Sequence, residues 1–136
     1  MNTAPKLKQF ARCLLASEAA PGEPSGVKET AVFRVCEKLR TPLGRLMGTA
    51  GFCSLFSRAL TLAAAEVPWL CMLRINADGS LAGLHEPELK LHPGTVAEGE
   101  TALVSQLLGL LVTFIGPALT VRLLHDAWPE LDELNL

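Results

Sequence analysis

The sequence predicts a mainly α protein, a small bundle of four to five helices with a short β-hairpin near residues 70–84. Three observations predict it: apolar residues recur at helical spacing, prolines and glycines separate the periodic stretches, and a turn sequence follows one short apolar run. The 136 residues are enough for one compact domain and too few for two ordinary ones. We therefore expect a single helical domain over residues 1–136.

The first predicted helix covers residues 4–19, where four apolar residues share one face. These are Leu7, Phe10, Leu14 and Leu15. The basic, acid-poor start of the chain also has the composition of a transit peptide, but an ordinary docking helix explains the spacing more simply. A Pro/Gly-rich linker should follow over residues 20–27.

Two further helices are predicted between Val27 and Glu66. One should end near Arg40, because Thr41 and Pro42 have the pattern of an N-cap followed by proline at the first helical position. Glycine is unfavourable inside a helix, so a break is expected between Gly48 and Gly51. The segment after it is poor in charge and should lie in the core.

A turn is predicted at Asn76–Gly79, between short strands of the hairpin. The turn lacks the alternating acids of a calcium loop. A loop over residues 85–94 follows, and its His85 and His92 are possible metal ligands by residue type. Their spacing matches no metal motif, and Pro87 opposes the helix that such spacing needs, so we expect no metal site.

The last helix is predicted over residues 96–128. Thr95 and Glu98 have the spacing of a capping box at its start. Pro117 removes one backbone donor and should bend this helix between Thr113 and Gly116.

Small or modestly polar residues recur along one side of this helix in steps of three and four. They form the candidate helix-packing seam, Ala102, Gln106, Gly109, Thr113, Gly116 and Thr120. Such a stripe lets a second helix approach closely, in lipid or in a tight bundle. The seam therefore predicts a helix partner in either environment.

The same helix is apolar enough to raise a membrane alternative. Hydropathy over residues 103–121 averages about 1.9, which is typical of a span candidate. Gln106, Pro117 and the absence of a basic flank before Arg122 oppose a span. A soluble cytoplasmic bundle is the preferred interpretation, and a single-span membrane accessory protein anchored by residues 103–124 in the inner (plasma) membrane is the alternative.

Charge is divided unevenly along the chain. Residues 1–58 hold nine of the twelve Lys and Arg residues and four of the fourteen acids. The two parts could attract each other within the fold or between subunits, or the basic part could steer toward an acidic surface. Tyrosine is absent and aromatic residues make up 5% of the chain, which argues against nucleic-acid binding by base stacking.

Four cysteines lie far apart, with no CxxC pair. They are Cys13, Cys36, Cys53 and Cys71. Two disulfides are possible in an oxidising compartment, but buried free thiols are the preferred interpretation because no secretory signal precedes them.

No catalytic motif is present: the chain lacks GxSxG, a Walker loop, GxGxxG and HExxH. We expect no enzyme, no catalytic or cofactor-binding residues and no cofactor. The predicted function is non-catalytic, acting through self-association as a homo-oligomer or through another protein partner. A second alternative is a small apolar-ligand binding protein, with a candidate pocket formed by Phe52, Phe56, Trp69 and Phe114.

Overall fold

The computed structural model describes residues 4–18, 31–77, 81–82 and 93–129, and these are mostly helical. Three α-helices occur among them: α1, Ala4–Glu18, α2, Ala31–Glu66, and α3, Pro93–Ala127. A 3-10 helix, Pro68–Met72, follows α2 directly. The prediction of a mainly α protein is confirmed, whereas the predicted number of four to five helices is not.

Helix α1 lies against the core through the face that its sequence predicts. Leu7, Phe10, Leu14 and Leu15 are buried, together with Ala11. Residues spaced three and four apart fall on one side of a helix, so this set forms a continuous apolar stripe. The stripe packs mainly on α3 and also on α2.

Helix α2 continues through Thr41 and Pro42, and the prediction of a new helix at this point is wrong. Proline inside a helix removes one hydrogen bond and costs about 3 kcal/mol. Leu39 and Leu43, on either side of it, have no exposed surface. Packing of these leucines in the core offsets the free-energy cost of the proline. The local pattern at Thr41 and Pro42 gives no sign of this packing.

Two glycines interrupt the long helices. Gly48 in α2 has φ 80° and ψ 160°, and Gly116 in α3 has φ 87° and ψ 158°. Both conformations lie in a region that is essentially restricted to glycine. The interruptions occur at the break expected between Gly48 and Gly51 and at the bend expected just before Pro117.

The core lies between α2 and α3, which form the most extensive helix contact, and α1 covers it. Its largest fully buried side chains include Phe52 and Phe56 of α2, whose ring centroids are 5.5 Å apart. Trp128, directly after α3, is also fully buried. Lys38 Nζ lies over its ring, 5.3 Å from the ring centroid. The segment after Gly48 thus contributes to the core, as its low charge predicts.

A two-residue antiparallel ladder lies within the interval of the predicted hairpin. Strand β1, Arg74–Ile75, pairs with β2, Leu81–Ala82. Residues 78–80, which would complete the predicted turn, lie outside the described residues, so the hairpin as a whole is not confirmed. The predicted linker 20–27 and the loop with His85 and His92 also lie outside them.

Helix α3 begins at Pro93, so Thr95 lies inside its first turn rather than before it. Proline is favoured in the first turn of a helix because no partner exists there for its missing N–H. The Thr95 carbonyl instead accepts a hydrogen bond from Trp69 Nε1, at 3.1 Å. This contact joins the 3-10 helix to the start of α3.

Candidate functional site

The structure divides the predicted packing seam between the core and the surface. Ala102 and Thr120 are buried, at 4% and 1% exposure, whereas Thr113 is exposed. A Cβ built on Gly109 would lie 3.4 Å from Leu7 Cδ1 of α1. Gly109 therefore faces α1, with room for a Cβ at ordinary contact distance.

The hydroxyl groups of the seam bond to their own helix. Thr113 Oγ1 donates to the Gly109 carbonyl at 3.0 Å, and Thr120 Oγ1 donates to the Gly116 carbonyl at 2.8 Å. The second bond satisfies a buried hydroxyl next to the interruption, where an unpaired polar group would cost about 1–3 kcal/mol. These threonines thus use their donors within α3.

Gln106 joins the end of α2 to the middle of α3. Its Nε2 donates to Glu66 Oε2 at 2.7 Å, and Lys8 Nζ of α1 lies 3.9 Å from Glu66 Oε1. All three helices therefore meet at the Glu66 carboxylate. A hydrogen bond to a charged acceptor explains the presence of a polar side chain at this point of an apolar helix.

The residues of the predicted apolar pocket have different surroundings. Phe52 and Phe56 pack on each other without exposed surface. Trp69 lies on the backbone of Gly99, and Phe114 is 68% exposed. Of these four residues, Phe114 alone lines the groove described next.

An apolar groove of about 690 Å³ lies beside both interruptions. Leu46 and Met47 precede Gly48, and Phe114 and Ile115 precede Gly116, so the two interruptions bring residues far apart in the chain to one surface. Ser54, Leu55 and Arg58 of α2 complete the lining, with Gly51. The groove residues are thus Leu46, Met47, Gly51, Ser54, Leu55, Arg58, Phe114 and Ile115.

The rim of the groove carries large apolar side chains in contact with solvent. Leu46 is 48% exposed and Phe114 is 68% exposed, whereas Leu55 in the wall is 4% exposed. A single exposed leucine is ordinary on a protein surface, but apolar side chains gathered around one concavity are typical of binding sites. The groove volume lies within the range of small-molecule sites, about 300–1,000 Å³.

Arg58 supplies the charge of the groove. Among the described residues that line it, none is acidic. Arg58 is exposed and forms no hydrogen bond or ion pair with any other residue that the structure describes. Arg58 is thus a cation beside an apolar surface, and no acidic side chain among the described residues pairs with it. Such a site favours an anionic partner.

Phe114 is the one groove residue that also belongs to the pocket predicted from the sequence. The usable signal was Arg58, one of two charges in the apolar segment from Phe52 to Glu66. A lone cation in such a segment indicates an exposed position at the edge of an apolar face. The pairing of that face with residues 114 and 115 has no signature in local sequence.

The cysteines differ widely in their surroundings, and all four are free thiols. Only Cys36 is buried, so the prediction of buried thiols holds for Cys36 and is wrong for exposed Cys71. The Cys53 thiol lies 3.4 Å from the Ala77 carbonyl oxygen. Burial raises the pKa of Cys36 far above its ordinary value, and the charges of Glu37 and Glu100 raise it further.

The described residues contain no group of three or more His, Cys, Asp or Glu side chains that could hold a metal ion. A raised pKa keeps the Cys36 thiol protonated, which disfavours it as a nucleophile. Cys36 is thus a buried structural residue.

Two helical stretches are long and apolar enough to cross a membrane, by length and composition alone. The most apolar 18-residue window of Arg34–Glu66 has a mean hydropathy of 1.2, and that of Ala97–Ala127 has a mean hydropathy of 2.0. In each case 28% of the most apolar window is buried. Only the second stretch contains the segment that the sequence predicts as a span candidate, residues 103–124.

The chain matches no known protein family, no curated protein and no solved structure.

Proposed function

We propose that this chain is a non-catalytic protein that acts by association, as a homo-oligomer or with another protein, and that the groove residues form its contact surface. The observation that carries the proposal is the exposure of Phe114 and Leu46, at 68% and 48%, on the same groove. Association would remove these side chains from water. Burial of apolar surface is favourable by about 25 cal/mol for each Å². A cytoplasmic location agrees with this role.

The two interruptions support a finer description of the bundle. Gly48 and Gly116 divide α2 and α3 into two segments each, which with α1 makes five α-helical segments among the described residues. This division agrees with the four to five helices that the sequence predicts. The interruptions also shape the groove. If either helix continued straight through its glycine, the groove residues before that glycine would point in a different direction.

Sedimentation equilibrium of the full chain, without detergent, tests the proposal. We expect a defined oligomer for the natural sequence and a shift toward monomer for Phe114→Ser and Leu46→Ser. Leu62→Ser is the matched control, because Leu62 is 38% exposed on α2 and does not line the groove. An equal shift in all three variants, or an unshifted oligomer in the two groove variants, would contradict the proposal.

A partner other than a second copy gives a different result in the same experiment. The natural sequence would then sediment as a monomer, and the groove would be occupied only when a partner is present. Hydrogen exchange of residues 114 and 115 with and without a candidate partner would identify such a case. Unchanged exchange in a bound complex would remove the groove from the contact surface.

A second candidate is a membrane accessory protein, which the two long apolar stretches favour. It predicts that the protein sediments with membranes and resists a carbonate or high-salt wash. Recovery in the soluble fraction as a defined monomer or dimer would exclude it. Fractionation therefore separates the two candidates before any variant is made.

A further inference from the structure

The groove combines one apolar compartment with one charge. Its walls come from Leu46, Met47, Leu55, Phe114 and Ile115, and its polar lining consists of Ser54 and Arg58. Two polar side chains on neighbouring turns of α2 suit a ligand that is polar at one end only.

The position of the two polar residues defines that end. Ser54 and Arg58 are four residues apart on α2, so they lie on the same side of the helix. Both are exposed, whereas Leu55 next to Ser54 is buried. A ligand with its apolar part against Leu55 and Phe114 would thus place its polar end near Arg58.

We infer that the groove binds a medium-chain aliphatic carboxylate, with the alkyl chain between α2 and α3 and the carboxylate paired with Arg58. A guanidinium presents two parallel N–H donors to a carboxylate, and Ser54 can donate a further hydrogen bond. The volume of about 690 Å³ is ample for a single alkyl chain. The charge complementarity favours the carboxylate over a neutral apolar molecule of equal length.

This inference concerns the same surface as the proposed function but does not depend on it. A bound carboxylate would cover the apolar walls that an associating partner also covers. Ligand and partner should therefore compete, and the oligomer should weaken as the ligand is added. The experiments below separate the failure of one proposal from the failure of the other.

Displacement of the neutral fluorophore 1-aminoanthracene by dodecanoate and by dodecanol tests the inference on the full chain. We expect both to displace the probe, and dodecanoate to bind about fivefold more tightly, the size expected for an exposed ion pair. Added salt should narrow this difference, because it screens exposed charges.

Arg58→Met should remove the preference for dodecanoate while the affinity for dodecanol stays the same, since methionine keeps an apolar stem of similar reach. Arg45→Met is the matched control: Arg45 is also exposed on α2 but does not line the groove. Phe114→Ser should weaken the binding of both ligands. Circular dichroism of each variant checks that the helices are retained.

Equal affinity of the natural sequence for the two ligands, or equal loss of the preference in Arg45→Met and Arg58→Met, would overturn the inference. So would a folded protein from which neither ligand displaces the probe. If that protein still forms an oligomer that Phe114→Ser dissociates, the association proposal stands and the carboxylate site fails. If dodecanoate binds as expected to a protein that is monomeric and recruits no partner, the site stands and the association proposal fails.

Discussion

Gly48 and Gly116 share one backbone conformation, with φ and ψ that differ by 7° and 2° between them. The residues just before each glycine, Met47 and Ile115, line the same groove. Two equivalent interruptions on helices that pack together thus frame the candidate binding surface. The groove depends on a conformation that other residues adopt only at a cost.

We expect Gly48→Ala and Gly116→Ala each to lower the free energy of unfolding by about 1–3 kcal/mol. A Cβ on either glycine meets nothing within 4 Å, so the cost arises from the backbone and not from crowding. Asparagine should not rescue either position, because it tolerates left-handed helical backbone rather than ψ near 160°. Urea denaturation measures the change.

Gly44→Ala is the control for this pair. Gly44 also has free space around it but lies in regular helix, where alanine is favoured by up to about 1 kcal/mol. It should raise stability. An increase in stability and helix content for Gly48→Ala or Gly116→Ala would show that the chain does not require the interruption.

Gly99→Ala should destabilise the protein by about 1–3 kcal/mol through overpacking. A Cβ there would overlap the ring of Trp69, at 2.8 Å from Nε1, and the hydrogen bond from that nitrogen to the Thr95 carbonyl holds the ring in place. Urea denaturation followed by tryptophan fluorescence measures the loss. The fluorescence of the folded state should change as well, because the ring must move.

Gly109→Ala on the same helix is the matched control. Its Cβ would lie at ordinary contact distance from Leu7 Cδ1, 3.4 Å away. We expect stability equal to or slightly above that of the natural sequence, since alanine is the better helix former. A similar loss in both variants would mean that the Trp69 contact is not the cause.

Gln106 and Glu66 should show an energetic coupling of about 0.5–1 kcal/mol in a double-mutant cycle with alanine. Their 2.7 Å hydrogen bond is partly exposed, which limits its strength. Thermal or urea denaturation of the two single variants and the double variant gives the coupling. Additive losses would show that the bond does not stabilise the fold.

Lys8→Ala provides the comparison for this cycle. Its ammonium lies 3.9 Å from the other oxygen of Glu66, between side chains that are 46% and 43% exposed. An exposed pair at that separation contributes little. The coupling energy of Lys8 with Glu66 should be smaller than that of Gln106 with Glu66. A larger value would make Lys8 the main partner of the Glu66 carboxylate.

Stability should decline in alkaline solution because of Cys36. Its folded pKa lies above the ordinary value of 9.0, so above about pH 9 the unfolded chain loses the thiol proton while the folded chain keeps it. The contribution is complete below that pH and falls by up to about 1.4 kcal/mol for each further pH unit. Urea denaturation from pH 8 to 10.5 measures the decline.

Cys36→Ala should flatten this dependence, although it lowers stability at neutral pH by leaving a small cavity. Identical slopes in the natural sequence and Cys36→Ala would rule out a contribution from this thiol.

Local patterns predict much of the fold. The apolar face of α1, including Leu7 and Leu14, is visible as a repeat of three and four residues, and it is buried. The breaks at Gly48 and Gly116 follow from the conformations that glycine and proline favour. These features depend on residues that are close in sequence, which is why local reasoning finds them.

Features that depend on distant residues were not predicted. The continuation of α2 through Pro42 depends on burial of Leu39 and Leu43, and the groove depends on the approach of residues 46 and 47 to residues 114 and 115. The contact of Trp69 with Gly99 is of the same kind. Single-sequence patterns carry no record of such contacts, so the polar partner of Gln106 was missed as well.

The low burial of the two apolar stretches has a calorimetric consequence. Heat capacity rises on unfolding in proportion to the apolar surface that becomes exposed, and surface already in water adds nothing. With 28% of each apolar window buried, unfolding of a single chain should give a smaller heat-capacity increment than its apolar composition suggests. The part of that surface that lies in the groove should give a negative heat-capacity change when the groove is covered.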